Sequence, residues 1–299
     1  MLKLQVPTLD PAVCLTNVVS TKTGYTRKLL DGCSAKVTGR YPEYDRLAPT
    51  FVGLTPSPLG KRQQGAMKKC YIRGRKKVNE LFEDLCAEQA GHLHRICPLC
   101  GRTGAETADH ALPERDFPEF AVYPKNLIPA CETCNTKKNK KWRDARGRLF
   151  LHAYFDQVPT EKFLYVDVLA VAATGVEIQY RVSPPATVPP ELSGVLQRHF
   201  EELKLATRYL EWANTELVVW GNGAEIVPNR TAAEFGAELT RNHDVLAHTW
   251  GPNQWKVALL AALRGSVPYT AYLADIAAGR VAAPDRKSTR LNSSHANIS

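Results

Sequence analysis

Two Cys-x-x-Cys pairs constrain the fold of this 299-residue chain more than any other feature of its sequence. Cys97 and Cys100 form the first pair, Cys131 and Cys134 form the second, and residues 101–130 separate them. Each pair can present two thiolates from one tight turn, and four thiolates complete a tetrahedral Zn²⁺ site with no open position. We therefore expect a structural zinc. A redox dithiol is the alternative for one pair alone, but two pairs favour a metal.

The remaining composition predicts an ordinary globular protein. With 44% hydrophobic residues the chain can bury a core in one large or two ordinary domains. It has no run of 18 apolar residues, so no membrane association is expected. The first residues lack the apolar stretch of a secretory signal, so we expect a cytoplasmic protein. The other cysteines are expected to be reduced, mostly buried thiols: Cys14, Cys33, Cys70 and Cys86.

Charge is unevenly distributed along the chain. Residues 1–150 carry 26 basic and 15 acidic side chains, whereas residues 151–299 carry 13 and 15. Residues 61–77 contain eight basic residues and no acidic one. A solvated surface is the alternative explanation for this run, but its position just before the first cysteine pair favours contacts with backbone phosphates. The candidates for those contacts are Arg73, Arg75, Lys76 and Lys77.

A second signal lies around the cysteine pairs. Asp109 and His110 place a carboxylate beside an imidazole, and Pro113 follows shortly after. Asn126 precedes the second pair, and Asn135 immediately follows its last cysteine. Considered one at a time, the Asp-His dipeptide could be a surface pair and Asn135 could cap a helix. A neutral imidazole is, however, a suitable base near pH 7, and oxygen ligands favour Mg²⁺ or Mn²⁺.

This combination resembles the HNH endonuclease family, whose ββα-metal motif is often held by a four-cysteine zinc site. The resemblance covers about 45 residues, with the elements in the family's order. The last His of the family pattern is Asn135 here, a variant that many members carry. The resemblance implies that His110 is the general base, that Asp109 and Asn135 hold one catalytic Mg²⁺ or Mn²⁺, and that Asn126 fixes the loop behind the base.

Basic residues follow the second cysteine pair along what we expect to be a helix beginning near Cys134 and continuing to Arg148. By the same resemblance they would contact phosphates of DNA, the expected partner, through charge and counterion release. The candidates are Lys137, Lys138, Lys140, Lys141 and Arg143. Glu114, Asp116 and Glu119 are expected to face solvent.

The expected fold class is α+β, with a ββα-metal nuclease unit held by the zinc site between a helical N-terminal segment and a mostly helical C-terminal domain. A β-hairpin is expected over residues 164–171 and 176–182, and four tryptophans should fill the C-terminal helical core. Residues 286–299 resemble a translated adaptor sequence and are left out. The expected divisions are 1–75 (N-terminal segment), 76–150 (nuclease domain), 151–190 (hairpin and linker), 191–285 (helical domain) and 286–299 (tail).

Three functions compete on this sequence. The leading one is a metal-dependent endonuclease that cuts DNA; the alternatives are a zinc ribbon that binds nucleic acid without cutting, and an inactive HNH fold that serves as a scaffold. The Asp109-His110 pair favours cutting, because a binding ribbon has no need of it. The chain also resembles free-standing nucleases of bacterial defence systems, which suggests a sensor or ATPase partner protein. The sequence leaves open the preference for DNA or RNA, the specificity and the oligomeric state.

Overall fold

A computed structural model describes residues 1–72 and 75–284 of the chain. Arg73 and the tail 286–299, for which the sequence made predictions, lie outside these residues. The chain divides into two compact units, Met1–Val158 and a second from Pro159 onward. Both combine helices with small antiparallel sheets, and the α+β prediction is confirmed.

The first unit begins with six helices. The first begins at Pro11, because Asp10 accepts hydrogen bonds from the backbone N–H groups of Ala12 and Val13, and Pro11 occupies the first helical position. The helices are α1 (Pro11–Val19), α2 (Gly24–Asp31), α3 (Ser34–Thr38), α4 (Tyr41–Leu47), α5 (Lys61–Lys68) and α6 (Lys76–Ala87).

A ββα arrangement follows, made of β1 (Thr107–His110), β2 (Leu127–Ala130) and α7 (Glu132–Lys138). The two strands are antiparallel, with His110 opposite Leu127. The helix expected to continue through Arg148 instead ends at Lys138, because Asn139 has a positive φ of 49° with ψ −127°, which no residue of an α-helix adopts. A small hairpin of β3 (Arg143–Asp144) and β4 (Gly147–Arg148) comes next.

The N-terminal helices and the ββα arrangement share one hydrophobic core. Residues of α1, α2 and α6 pack in the same cluster as residues of β1 and β2. At its centre Tyr44 and Tyr123 are fully buried, with ring centroids 5.0 Å apart at 77°, and Tyr41 stacks on Tyr123 at 4.3 Å. Each such aromatic pair contributes about 1 kcal/mol beyond its buried area. Residues 1–75 therefore support the strands that carry the predicted site.

The second unit is a hairpin followed by five helices within the described residues. Strands β5 (Leu164–Ala172) and β6 (Gly175–Val182) match the predicted hairpin and turn at Gly175, whose φ of 138° suits glycine. The tryptophans expected to fill its core are only partly buried, whereas Tyr209, Phe235 and Tyr269 are fully buried. The helices are α8 (Pro190–Glu202), α9 (Leu205–Glu225), α10 (Ala232–Trp250), α11 (Trp255–Arg264) and α12 (Val267–Ala277).

Hydropathy along the described helices gives no single span that is long and apolar enough to cross a membrane. Within the described residues, α11 and α12 taken together have the length and composition of a membrane span, but the two helices are bent by 82° relative to each other.

Candidate metal centre and active site

The four cysteines of the two pairs lie together. Their Sγ atoms are all within 4.8 Å of one another, and the Sγ atoms of Cys100 and Cys131 are 3.8 Å apart. A tetrahedron of thiolates at about 2.3 Å from zinc has edges of about 3.8 Å, so the sulfur atoms fit that metal. The first pair bends through Gly101, whose N–H donates to the Cys97 carbonyl, and Cys131 directly precedes the first residue of α7. The cluster therefore joins the loop before β1 to the start of α7.

His110, the last residue of β1, has a fixed orientation. Its Nε2 lies 2.9 Å from the carbonyl oxygen of Ala121, and since a carbonyl can only accept, Nε2 carries the proton. Nδ1 is then the unprotonated nitrogen, and it has no hydrogen-bond partner among the described residues. The imidazole and the Tyr71 ring pack in a T-shaped arrangement, with ring centroids 4.4 Å apart. The Tyr71 hydroxyl donates to the Ala108 carbonyl.

The environment of His110 keeps its imidazole neutral. Burial lowers the pKa of His110 to about 4, with a smaller contribution of the same sign from the Lys138 cation. The residue lines an open cleft of about 440 Å³, which we call the nuclease-motif cleft and which Asp109 and Asn135 also line. The structure thus places the three residues predicted for base and metal along one cleft.

Asp109 is 2% exposed and is paired with Lys138 on α7. Lys138 Nζ lies 3.2 Å from Asp109 Oδ2 and 3.3 Å from Oδ1, and it also donates to the His110 carbonyl at 2.5 Å. Burial raises the pKa of Asp109 to about 6, and the nearby ammonium opposes that rise. Asp109 Oδ2 accepts no well-aligned hydrogen bond from the described residues, although the Lys138 ammonium is its ion-pair partner. Carboxylate oxygens are the ligands that a hard divalent cation prefers, and such a cation would share Asp109 with Lys138.

Asn135 is held by a directed chain of hydrogen bonds. The Thr107 hydroxyl donates to the Ala130 carbonyl at 3.0 Å, so its oxygen must accept from the side-chain amide of Asn135, also at 3.0 Å. This fixes Nδ2 toward Thr107 and leaves Oδ1 as the atom that a cation in the cleft can use. The prediction that Asn135 is a metal ligand is compatible with this orientation.

Asn126 is fully buried and hydrogen-bonded across the loop that joins β1 to β2. Its Nδ2 donates to the carbonyls of Leu112 and Phe120, and its Oδ1 accepts from the Leu112 N–H and the Tyr44 hydroxyl. The hydrogen bonds continue from Tyr44 to His152, whose Nε2 is 2.9 Å from the Tyr44 hydroxyl oxygen. The contacts of Asn126 hold the loop that supplies the carbonyl bound by His110.

Among the basic candidates, one does not lie on the surface. Lys140, Lys141, Arg143, Arg75 and Lys76 are exposed, and Lys137 and Lys77 are partly buried. Lys138, which we expected beside them, is 2% exposed and its ammonium is used inside the protein by Asp109 and the His110 carbonyl. Lys138 therefore links α7 to Asp109 and to the His110 carbonyl, and it does not offer a surface contact for phosphate.

Of the three acidic residues expected to face solvent, Asp116 is exposed, whereas the two glutamates are not. Glu114 lines the nuclease-motif cleft, and its Oε2 is buried with no hydrogen-bond partner among the described residues. Glu119 is fully buried and pairs with Arg40, Nη2 to Oε1 at 3.2 Å. Apart from Glu119 itself, residues 117–122 are all apolar, and this apolar run was a sequence signal that Glu119 is buried. No local pattern marked Glu114 or Tyr71.

Comparison with known proteins identifies the ββα segment. Residues 97–141 match the family model described as HNH endonuclease, and these residues are an HNH endonuclease domain. The chain is also 30% identical over 179 residues to Protein ea31 of Escherichia phage lambda, an alignment that covers 58% of each protein. The chain therefore spans little more than half the length of this relative. No solved structure matches the chain.

Proposed function

We propose that this protein is a metal-dependent endonuclease that hydrolyses phosphodiester bonds in DNA, with His110 as the general base. The observation that carries the proposal is the tautomer of His110: the bond from Nε2 to the Ala121 carbonyl leaves Nδ1 as a lone-pair nitrogen, on a residue that lines the same cleft as Asp109 and Asn135. Burial lowers the pKa of His110, so that the imidazole is unprotonated at neutral pH, the form that a general base requires.

The oxygen donors of the cleft fit a hard divalent cation, Mg²⁺ or Mn²⁺. Asp109 Oδ2 and Asn135 Oδ1 would hold it, and when bound it would compensate the charge that develops on the scissile phosphate. Asn126 acts as a positioning residue through the loop, and exposed Lys140 lines the cleft where it can attract a phosphate. The four-cysteine cluster would hold a structural Zn²⁺.

A zinc ribbon that binds nucleic acid without cutting is the second candidate. Such a module would need the cysteines and the basic surface, but it would have no use for a tautomer-fixed imidazole in the same cleft as a buried carboxylate. The geometry therefore favours hydrolysis.

Nicking of supercoiled plasmid in MgCl₂ or MnCl₂ tests the proposal. We expect the parent protein to nick, and His110→Ala to nick at least about 100-fold more slowly, because a general base contributes on the order of 10²–10⁴. His94→Ala is the matched control, since His94 is an exposed histidine of the same unit outside the cleft lining, and it should keep full activity. Equal nicking by parent and His110→Ala would refute the assigned base.

Absence of nicking by the parent in every metal, with retained DNA binding, would favour the zinc ribbon. Cleavage of a single-stranded RNA, measured under the same metal conditions as the plasmid, tests whether RNA is a substrate.

A further inference from the structure

A second cleft of the first unit, of about 460 Å³, lies between the α1–α2 turn and the beginning of α6. We propose that this basic cleft binds the phosphodiester backbone of the DNA next to the cleavage site, an inference that rests on the proposed function. No carboxylate is among the described residues that line it, whereas three threonines and five cations are. The cations are Lys22, Lys69, Arg75, Lys76 and Lys77.

The cations of the basic cleft remain available to an anion. Lys22 Nζ donates to the Lys69 carbonyl at 2.8 Å, which anchors its ammonium on the cleft wall and leaves its other protons for a ligand. Lys76 and Lys77 share one acidic neighbour, Glu80, at 4.0 Å and 2.6 Å. One carboxylate cannot balance five cations, so the cleft keeps a net positive potential.

Backbone geometry adds to this potential. Thr23 precedes α2 and Arg75 precedes α6, and neither side chain makes a capping hydrogen bond. Neither helix has an acidic residue in its first turn. Two helix starts without side-chain acceptors therefore contribute partial positive charge and N–H donors to a cleft whose cations already select for anions.

The position of the basic cleft indicates which anion it takes. Tyr71 lines the nuclease-motif cleft and its neighbour Ile72 lines the basic cleft, so the two clefts adjoin at these two residues. Each strand of DNA carries one phosphate per about 3.4 Å of the helix axis, and a strand cut at His110 would present further phosphates near this junction. Five cations suit such a polyanion better than a single phosphate ion.

The test measures binding in a protein that cannot cut. Full-length His110→Ala protein is titrated against a fluorescent 20-base-pair duplex by anisotropy, from 50 to 200 mM KCl. We expect the log of the binding constant to fall with log [KCl]. Adding Lys69→Gln and Lys76→Gln, both at exposed positions of the basic cleft, should make this fall shallower by about 2, since each lost phosphate contact removes about 0.9 from its steepness. Lys28→Gln with Lys36→Gln, exposed lysines outside the cleft lining, removes the same charge and should leave the slope nearly unchanged.

Equal slopes for the two double variants would overturn the proposal. It would also be overturned if inorganic phosphate raised the Tm of the parent but not of the cleft variant while the duplex slope stayed the same, because the site would then hold a small anion. Failure of the proposed function is distinguishable: a parent protein that never cuts, with a cleft-dependent slope, refutes the nuclease and supports the cleft. If the parent protein cuts DNA and the cleft variant binds with an unchanged salt slope, only the proposed role of the basic cleft is refuted.

Discussion

His110 and His152 are both histidines whose pKa is lowered by burial, yet their hydrogen bonds assign them different tasks. His110 uses one ring nitrogen on a backbone carbonyl and keeps the other for the cleft. His152 uses both, because its Nδ1 accepts from the Tyr154 N–H at 3.3 Å and its Nε2 meets the Tyr44 hydroxyl at 2.9 Å. Both ring nitrogens of His152 are therefore used inside the fold, whereas His110 keeps one ring nitrogen without a hydrogen bond among the described residues.

His152 should make the protein less stable in acid. Burial lowers the pKa of His152 to about 3, below the value of about 6.5 for an unfolded histidine. The unfolded chain then binds one more proton between these pH values, so this contribution to stability is complete above pH 6.5 and is lost as pH falls. His152→Gln should reduce the slope of unfolding free energy against pH by about 1.4 kcal/mol per unit between pH 4 and 6.

Urea unfolding at a series of pH values measures this slope. His94→Gln, at an exposed histidine, should leave the slope as it is in the parent. His152→Gln also removes hydrogen bonds and lowers stability at every pH, but a uniform loss does not change the slope. An unchanged slope in His152→Gln would show that His152 is protonated in the folded protein.

At the scale of elements, α7 joins the four-cysteine cluster to the nuclease-motif cleft. Cys134 and Asn135 are adjacent, so the helix that carries one cysteine of the cluster also carries a residue that lines the cleft. Lys138, one turn later, ties the same helix to Asp109 and the end of β1. Removing one partner of such a buried pair leaves an uncompensated charge, which costs on the order of 3–5 kcal/mol.

Loss of zinc should therefore disturb the cleft as well as the fold. Cys97→Ser should abolish bound zinc and lower the Tm, because the loop before β1 and the start of α7 would no longer be joined. DNA nicking should be lost with it, since Asn135 sits directly after the last cysteine. Cys14→Ser, at a cysteine outside the cluster, should keep one zinc per chain in a metal assay. Full zinc content in Cys97→Ser would exclude the four-thiolate site.

Local chemistry explains which elements could be predicted from the sequence. The start of α1 and the hairpin of β5 and β6 follow from signals within a few residues, namely the cap at Asp10 and the turn at Gly175. The end of α7 could not be predicted in this way, because the positive φ of Asn139 is one of several conformations that asparagine can adopt. The cysteine cluster was predictable across a longer separation only because cysteine spacing carries its own geometric meaning.

Pairs that are distant in sequence explain what was missed. Glu119 is buried because Arg40, 79 residues earlier, supplies its countercharge, and Lys138 is buried because Asp109 lies 29 residues before it. Neither partner is visible in a local window, so both residues were expected at the surface. The same limitation hid the shared core of residues 1–75 and the HNH domain, which depends on contacts such as Tyr44 with Tyr123.

At the scale of the whole molecule, charge follows the division into two units. Residues 1–158 carry 26 basic and 16 acidic side chains, a net charge of +10, and residues 159–284 carry 10 and 13, a net charge of −3. Both clefts and the HNH domain lie in the first unit. DNA binding should therefore belong to the first unit alone.

A chain ending at Val158 tests this division, because the core that supports β1 and β2 lies entirely within it. Carrying His110→Ala, it should unfold in one cooperative transition and bind the 20-base-pair duplex with the salt slope of the full-length variant. A chain of residues 159–284 should fold around its own buried residues and show no salt-dependent binding, since its net charge repels phosphate. A shallower slope for the folded 1–158 chain would mean that the second unit contributes phosphate contacts despite its net negative charge.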